Sequence, residues 1–287
     1  MATDPTKTIK YGDANIIASV REYWDMMLQD KIYARAIARN LPGAVQVISR
    51  PGQGIDKTLR WTRSQGITTT ATDRYDVAST DLEMAQVEYG TEELSVTANH
   101  YAGFVAEKVD ILKDQEGFVM PNIMSSLSRD LATKENNLFI SVMDAAATEV
   151  IAAVDNIDIS LVELRKGVTA IENDNLESLY MLMSPNTVQT FADEMLPANT
   201  IGDNQFLRQN KVGQLFGSGV IRTTYVADNV VYYLGEEAMR MYERLPYTLT
   251  MARDNVSDLY VKFAVEARFG FGADRSESIK KSTFTGN

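Results

Sequence analysis

The chain has 287 residues, 45% of them hydrophobic and 23% charged, which is the composition of a globular protein with a core of its own. It has no cysteine, so disulfides, thiolate nucleophiles and Cys-based zinc sites are excluded. Its formal net charge of −11 argues against a protein that grips nucleic acid, because such proteins cluster Lys and Arg against phosphates.

The N-terminal region combines a polar start with a predicted helix. Residues 1–13 lack the apolar stretch of a secretory signal, and no apolar run in the sequence is long enough to span a membrane. Between Ala14 and Arg39, apolar residues recur at spacings of three and four, which predicts one amphipathic helix or two short ones. The inward-facing residues are Ile17, Val20, Trp24, Met27, Leu28 and Ile32.

The segment from Arg50 to Gly90 is typical of strand but has no dense apolar face. Its threonines and aromatic residues favour extended backbone, and residues 56–63 alternate like a two-faced strand. A two-stranded ribbon alone is marginal in water. We therefore expect this ribbon to lie on something else, most simply on a neighbouring copy of the chain, as an assembly arm.

A second strand pattern begins at Glu93. Leu94, Val96 and Ala98 share one face until the phase slips near His100-Tyr101, where we expect a bulge or a bend.

The longest regular element is a helix predicted from Pro121 to Ala147, with the proline in its first turn. At about 1.5 Å per residue it would be roughly 40 Å long. Its apolar stripe consists of Met120, Met124, Leu127, Leu131, Leu138, Val142 and Ala145. The stripe skips a turn at Lys134-Glu135, so this part of the face is either solvated or in contact with polar partners.

Residues 150–250 have the pattern of an inserted α/β region. It contains two predicted helices, at 160–173 and after the Ser184 cap and Pro185, and a buried strand at 179–183. A loop is predicted from Ala198 to Gly219. Two strands, 220–227 and 230–234, are predicted to form a hairpin through Asp228-Asn229.

The clearest strand signal is an unbroken alternation near the C-terminus. Its core face consists of Leu259, Val261, Phe263, Val265, Ala267, Phe269 and Phe271. This strand would be about as long as the long helix at about 3.3 Å per residue. We expect the two to pack together, which would make residues 150–250 an insertion between the parts of one domain.

No enzyme signature emerges from the candidate chemical groups. His100 is the only histidine and has no Gly-x-Ser-x-Gly elbow with it, so we expect a structural role. The Gly213–Gly219 and Gly52–Gly54 segments are expected to be turns, because neither completes a phosphate or dinucleotide motif. Glu92-Glu93 is expected to be surface charge, and so is Glu236-Glu237 at the predicted start of a helix. We predict no catalytic residues, no metal and no cofactor.

The order of parts resembles the major capsid protein of tailed bacteriophages and related viruses, with the HK-ninety-seven-type fold. The most recognisable pieces are Gly54–Arg63, Leu127–Leu131, Lys211–Gly217 and Val265–Gly272. The resemblance implies an α+β capsid fold and the division that follows. Residues 1–49 are an N-terminal arm, 50–92 an extended β-ribbon loop, 93–149 with 250–287 a peripheral domain with a spine helix, and 150–249 an axial domain around five-fold and six-fold centres.

The resemblance also implies that the ribbon lies over an adjacent subunit. The residues predicted to contact that subunit are Lys57, Arg60, Trp61, Arg63, Asp73, Arg74, Asp76 and Asp81. Some members of the family crosslink a ribbon lysine to a neighbour's asparagine. Lys57 is the only lysine of this ribbon, but no partner asparagine and no catalytic glutamate match.

The partners implied are further copies of the chain in pentamers and hexamers, DNA packaged without sequence-specific binding, and separate scaffolding, portal and decoration proteins, with no membrane. The implied location is the virion, with assembly in the host cytoplasm. A short arm beginning at Met1 favours a separate scaffolding protein. Two alternatives remain: an encapsulin-type compartment, whose short N-terminal cargo-binding helix contrasts with the polar residues 1–13 here, and a soluble α/β enzyme with an unrecognised site.

Overall fold

The computed structural model describes five parts of the chain: residues 14–49, 58–64, 91–195, 213–253 and 260–285. Within them the α-helices are α1 Ala14–Tyr33, α2 Val109–Ala146, α3 Leu161–Glu172 and α4 Pro185–Met195. The strands are β1 Val45–Ser49, β2 Thr58–Ser64, β3 Thr91–Thr97, β4 Asn99–Lys108, β5 Thr148–Ile151, β6 Ser178–Met183, β7 Gln214–Leu215, β8 Ser218–Arg222, β9 Val230–Gly235, β10 Met239–Arg253, β11 Tyr260–Ala273 and β12 Ile279–Thr283. None of the described helices has an apolar stretch long enough to cross a bilayer.

Three sheets organise these strands. A four-stranded sheet has the order β1-β10-β11-β4, and a six-stranded sheet has the order β5-β12-β9-β6-β8-β7. The strands β2 and β3 pair only with each other within the described ranges. The predicted mixture of helix and sheet is therefore confirmed, and the ribbon stands apart from both larger sheets.

The four-stranded sheet packs against α2 and α1 over the largest core. The predicted core face of β11 is confirmed, with five buried side chains, Phe263, Val265, Ala267, Phe269 and Phe271. Two further residues of that face, Leu259 and Val261, lie where the structure does not describe the side chains. Phe139 of α2 meets Phe271 edge-on, with ring centroids 5.5 Å apart. The predicted packing of a long strand along a long helix is thus confirmed.

The helix α2 begins twelve residues before the predicted start. It has 38 residues, about 57 Å at about 1.5 Å per residue, and Pro121 lies inside it. The prediction that Pro121 occupies the first turn is therefore wrong. The helix follows β4 without a linker, so its start is set by the end of the strand and not by the proline.

The buried face of α2 follows the predicted stripe as far as Leu131 and then shifts by one residue. Phe139 and Met143 are fully buried, whereas the predicted Leu138 and Val142 are partly buried and Ala145 is exposed. A step of seven residues drifts by about 20° on a straight helix, because seven residues are slightly less than two turns. The predicted stripe repeats every seven residues through Met124, Leu131, Leu138 and Ala145, and so it left the core face.

The phase slip near His100 corresponds to a break between two strands. β3 ends at Thr97 and β4 begins at Asn99, so the chain bends at Ala98, two residues before the predicted place. The bend moves the chain from the ribbon, which contains β3, to the edge of the four-stranded sheet, which contains β4.

The helices of the inserted region begin where the sequence predicts. Ser160 caps α3, its Oγ accepting a hydrogen bond from the Glu163 amide at 3.3 Å. Ser184 caps α4 in the same way, through the Thr187 amide at 3.1 Å. Along α3, Leu164, Val168 and Ile171 are buried as predicted, whereas the predicted Leu161 is exposed.

Two predicted turns differ in the structure. The hairpin between β8 and β9 is wrong, because β6 lies between them and pairs with both. No helix follows Gly235, because residues 236–237 form the turn into β10 and Glu237 has a φ of 48°. The turn at Phe216-Gly217, with φ of 53° and 85°, joins β7 and β8 as a hairpin inside the predicted loop, of which residues 198–212 lie outside the described residues.

Two strands lie in a different sheet from the one that their position in the sequence suggests. β10 begins within the predicted axial segment but pairs with β1 and β11 in the four-stranded sheet. β12 lies in the predicted peripheral segment but pairs with β5 and β9 in the six-stranded sheet. The division of the chain into domains stays a prediction.

Candidate assembly site

The base of the ribbon is a short antiparallel pair of strands. The register runs from Thr58 opposite Thr97 to Ser64 opposite Thr91. The hydroxyl oxygens of Thr58 and Thr97 lie 3.1 Å apart at the end nearest the body of the chain. Because the two strands pair along their full described length, the base has a defined twist and a defined direction.

Trp61 attaches this base to the four-stranded sheet. Its indole Nε1 donates a hydrogen bond of 2.7 Å to Oδ1 of Asp274, which directly follows β11. Arg240 of β10 donates from Nε to the other oxygen of Asp274 at 2.7 Å. The Arg240 guanidinium carbon also lies 4.9 Å from the centroid of the indole ring, in cation–π contact. The three side chains form a closed group, which we call the Trp61 clasp.

The second attachment of the base is the close approach of β3 to β11. A Cβ at Gly270 would overlap the carbonyl oxygen of Thr97, and a Cβ at Gly272 would overlap the side chain of Val96. Val96 is therefore buried beside Ala98 and Tyr242, in a small apolar cluster that also includes Leu59 and Trp61. Gly270 and Gly272 are required for a steric reason, since any side chain at these positions of β11 would push the ribbon base away.

A buried charged cluster lies behind the same sheet. Arg39 donates to Glu135 of α2 at 3.0 Å and to Glu243 of β10 at 2.7 Å. The hydroxyl of Tyr247 donates to the second oxygen of Glu135 at 2.6 Å. We call these four side chains the Arg39 cluster, and it joins the arm, the long helix and the sheet.

The environment of the Arg39 cluster shifts its acid–base properties. Burial raises the pKa of Glu135 above its usual value, and the Arg39 guanidinium and the Tyr247 hydroxyl oppose this rise. Burial and the nearby Glu135 carboxylate raise the pKa of Tyr247. Burial lowers the pKa of Arg39, but Glu135 and Glu243 outweigh it and raise that pKa overall. The skipped turn at Lys134-Glu135 thus places Glu135 against polar partners, whereas Lys134 is exposed.

The predicted contact residues of the ribbon fall into two groups. Lys57, Asp73, Arg74, Asp76 and Asp81 lie outside the described residues. Arg60 is exposed on β2, and Arg63 lies opposite Glu92 in the register, with its side chain outside the described part.

Trp61 is bonded within its own chain, through its N–H to Asp274 and through its ring to Arg240. Its predicted contact with a neighbouring subunit stays a prediction. Aromatic residues in a polar ribbon suggest a partner, and here that partner is Asp274, 213 residues further along the chain. No local sequence pattern indicates that Asp274 or Arg240 contacts Trp61, so neither contact was predicted from the sequence.

Of the other candidate groups, Gly52–Gly54 lies outside the described residues, and the side chains of Glu92 and Glu93 are not described. His100 is half exposed, and its Nε2 lies 3.7 Å from the Glu266 carboxylate across the sheet. Glu236 and Glu237 are exposed, which confirms surface charge, and Glu237 pairs with Arg275 at 2.9 Å. Within the described ranges, no three His, Cys, Asp or Glu side chains converge as metal ligands would.

Comparisons with known proteins point to one family. A family model described as phage capsid protein matches residues 91–282. A search of curated proteins finds no match. The α+β arrangement matches that of solved capsid structures whose sequence identity to this chain is low. This likeness therefore concerns the fold alone.

Three solved structures illustrate this likeness. The virus-like particle from Pyrococcus furiosus is 14% identical, with a TM-score of 0.62 over 92% of this chain and 99% of that one. The mature capsid of bacteriophage PhiM1 is 13% identical, with a TM-score of 0.62 over 86% and 87%. The capsid of cyanophage P-SCSP1u is 11% identical, with a TM-score of 0.61 over 85% and 86%.

Proposed function

The chain belongs to the phage capsid protein family, and on this premise we propose how its parts build a shell and what that shell contains. It is a major capsid protein, and its place is the capsid of the virion. Copies of the chain close into an icosahedral shell of pentamers and hexamers around a double-stranded DNA genome. The net charge of −11 supports packaging without sequence-specific binding, since an acidic protein does not grip DNA.

The observation that carries this proposal is the isolated ribbon. Within the described residues, β2 and β3 join neither of the larger sheets, and only one end of the pair is attached to the body. A two-stranded sheet is marginally stable alone, so residues 65–90 beyond it need a surface to lie on. A neighbouring subunit in the shell supplies that surface.

The contacts of the ribbon with the neighbour are polar in this proposal. Its charged residues, Lys57, Arg60, Arg63, Asp73, Arg74, Asp76 and Asp81, form ion pairs across the interface. Charged pairs of this kind fix register and partner more than they add affinity. Many such contacts around one shell then act together.

The remaining parts surround the ribbon. The region near 150–249 lies around the five-fold and six-fold centres, and the segments near 93–149 and 250–287 form the periphery. The strand order supports one adjustment: β10 belongs with the peripheral part and β12 with the axial part. Separate scaffolding, portal and decoration proteins complete the particle, with assembly in the host cytoplasm.

The test is a ribbon deletion that spares the base. Ser64 lies directly opposite Thr91, so residues 65–90 can be replaced by Asn-Gly, which closes a two-residue hairpin. The purified wild type should form closed shells in electron micrographs, and the variant should remain as subunits or small oligomers. The matched control is the urea unfolding of the variant, which should stay cooperative with a similar midpoint. Shells formed by the variant would show that the ribbon is not the assembly arm.

The contents of native shells separate two functions on the same fold. Shells purified from the natural source should contain double-stranded DNA of uniform length. Shells containing enzymes and no DNA would instead indicate a compartment of the encapsulin type. A wild-type chain that forms only monomers under all assembly conditions would refute a shell of either kind.

A further inference from the structure

We infer that the Trp61 clasp fixes the direction in which the ribbon leaves its own subunit, and that Trp61 is a positioning residue for assembly. This inference rests on the proposed function and deepens it. Trp61 bonds to Asp274 of its own chain at 2.7 Å. Trp61 then contributes to assembly by orienting the ribbon before a neighbouring subunit binds.

The clasp satisfies a carboxylate that is otherwise costly to bury. The Asp274 side chain is only 4% exposed, and its two oxygens accept from Trp61 and Arg240. A buried charge is tolerated only when it is paired and hydrogen-bonded. Loss of the indole N–H would leave Oδ1 without this donor, so the bond opposes any movement of the ribbon base.

Two separate attachments fix an orientation where one would not. Val96 on β3 is held above the glycines of β11, and Trp61 on β2 is held by the clasp. The register places Trp61 opposite Leu94, two residues from Val96 along β3. With only one strand attached, the pair could rotate about that point. With both attached, the ribbon keeps one angle to the sheet.

The fixed angle lowers the entropy that association must remove. A ribbon that already points toward its docking surface loses less freedom on binding than one that swings. Without the Trp61 hydrogen bond we expect the critical concentration for shell assembly to rise on the order of tenfold. This is the effect expected if only part of the free energy of a charge-assisted hydrogen bond contributes to assembly.

The experiment compares Trp61→Phe with a matched control. Trp61→Phe keeps an aromatic ring but removes the N–H donor and the second ring of the indole, which packs on Arg240 and the Val96 cluster. Tyr232→Phe also removes one donor to an aspartate, the 2.6 Å bond to Asp144, but in the six-stranded sheet. Unfolding in urea, amide hydrogen exchange of unassembled subunits and the critical concentration are measured for both variants.

We expect Trp61→Phe to lose at least as much stability as Tyr232→Phe, because the Asp274 side chain is 4% exposed and that of Asp144 is 46% exposed. Only Trp61→Phe should speed amide exchange across residues 58–64 and 91–97 and raise the critical concentration. Equal effects of the two variants on assembly, or exchange at the ribbon base that stays at the wild-type rate in Trp61→Phe, would overturn the inference.

A second variant keeps the test decisive if Trp61→Phe does not fold. Asp274→Asn keeps an acceptor for the indole but replaces the oxygen that accepts from Arg240 by an NH2 donor, so its effects should be in the same direction. If Asp274→Asn exchanges and assembles like the wild type, the clasp has no positioning role. Failure of the wild type to form shells would contradict the proposed function, and the exchange result would still decide on the clasp.

Discussion

Replacing Arg39 by Met should destabilise the subunit strongly, because Arg39 is the cation shared by two buried carboxylates. The side chain of Glu135 is 0% exposed and that of Glu243 is 6% exposed, and Arg39 donates to both. Removing one partner of a buried ion pair leaves an uncompensated charge and typically costs 3–5 kcal/mol. With two carboxylates left behind, we expect a loss of about 3–5 kcal/mol in the free energy of unfolding.

The pH dependence of this loss gives a sharper test. Burial already raises the pKa of Glu135, and without Arg39 that pKa rises further. At pH values between the pKa of Glu135 in the unfolded chain and its pKa in the folded variant, the folded variant binds more protons than the unfolded chain. Its free energy of unfolding therefore increases as the pH falls through that window. The deficit relative to the wild type should be largest near pH 8 and smaller near pH 5.

The assay is urea unfolding of the unassembled subunit at both pH values, with one matched control. Arg35 lies in the same segment but is exposed, and it donates to the Ser125 carbonyl and to Ser128. Arg35→Met should cost about 1 kcal/mol or less at either pH. A deficit for Arg39→Met below about 1 kcal/mol, or one that grows toward acid, would refute the reasoning.

Three further substitutions test other parts of the fold by the same urea measurement. Asp144→Asn should lower stability at pH 7 by about 0.5–1 kcal/mol. The hydrogen bonds that Asp144 accepts, first the one from Lys281, lower its pKa. The wild type therefore loses this advantage as the pH falls below 3.8. A difference in stability between the two proteins that is unchanged at pH 3 would contradict the assignment. Gly167→Ala should destabilise by about 1–3 kcal/mol, because its Cβ would overlap the Tyr233 ring, and a neutral effect would show that the ring can move. Pro121→Ala should stabilise α2 by up to about 3 kcal/mol, because proline lacks the N–H that a helix interior needs, and a destabilising effect would contradict this.

Elements whose signal is local could be predicted from the sequence. The alternation in β11 is unbroken because every second side chain enters one core, so its burial pattern follows from a period of two. The caps of α3 and α4 depend on a serine and its next three residues, and both lie where expected. Such features need no knowledge of the rest of the chain.

The strand β10 shows why other elements were missed. Its pairing with β11 shifts register twice, between Glu243 and Leu245 and between Leu245 and Thr248. Each shift breaks the alternation, and Glu243 places a charge where the pattern requires an apolar residue. The strand becomes recognisable only with its partners, since Arg39 is what makes a buried Glu243 possible.

The order of strands was beyond sequence reasoning for a related cause. The turn at Asp228-Asn229 has the residues of a hairpin, but a turn fixes only that the chain reverses, not which strand lies beside it. β6 enters between β8 and β9 because its apolar residues, Met181, Leu182 and Met183, are buried on both faces of the sheet. A strand of this kind requires neighbours on both sides, and that requirement outweighs the local hairpin.

The Arg39 cluster and the Trp61 clasp act at different levels of the same assembly. The Arg39 cluster ties the arm, the long helix and the sheet into one body, and its loss should appear in the stability of the single subunit. The Trp61 clasp fastens only the ribbon base to that body, and its loss should appear mainly in assembly. If Arg39→Met subunits that remain folded still assemble at the wild-type critical concentration, while Trp61→Phe subunits do not, then folding and assembly depend on separable groups of side chains. The opposite result would mean that the ribbon's direction depends on the whole subunit and not on the clasp.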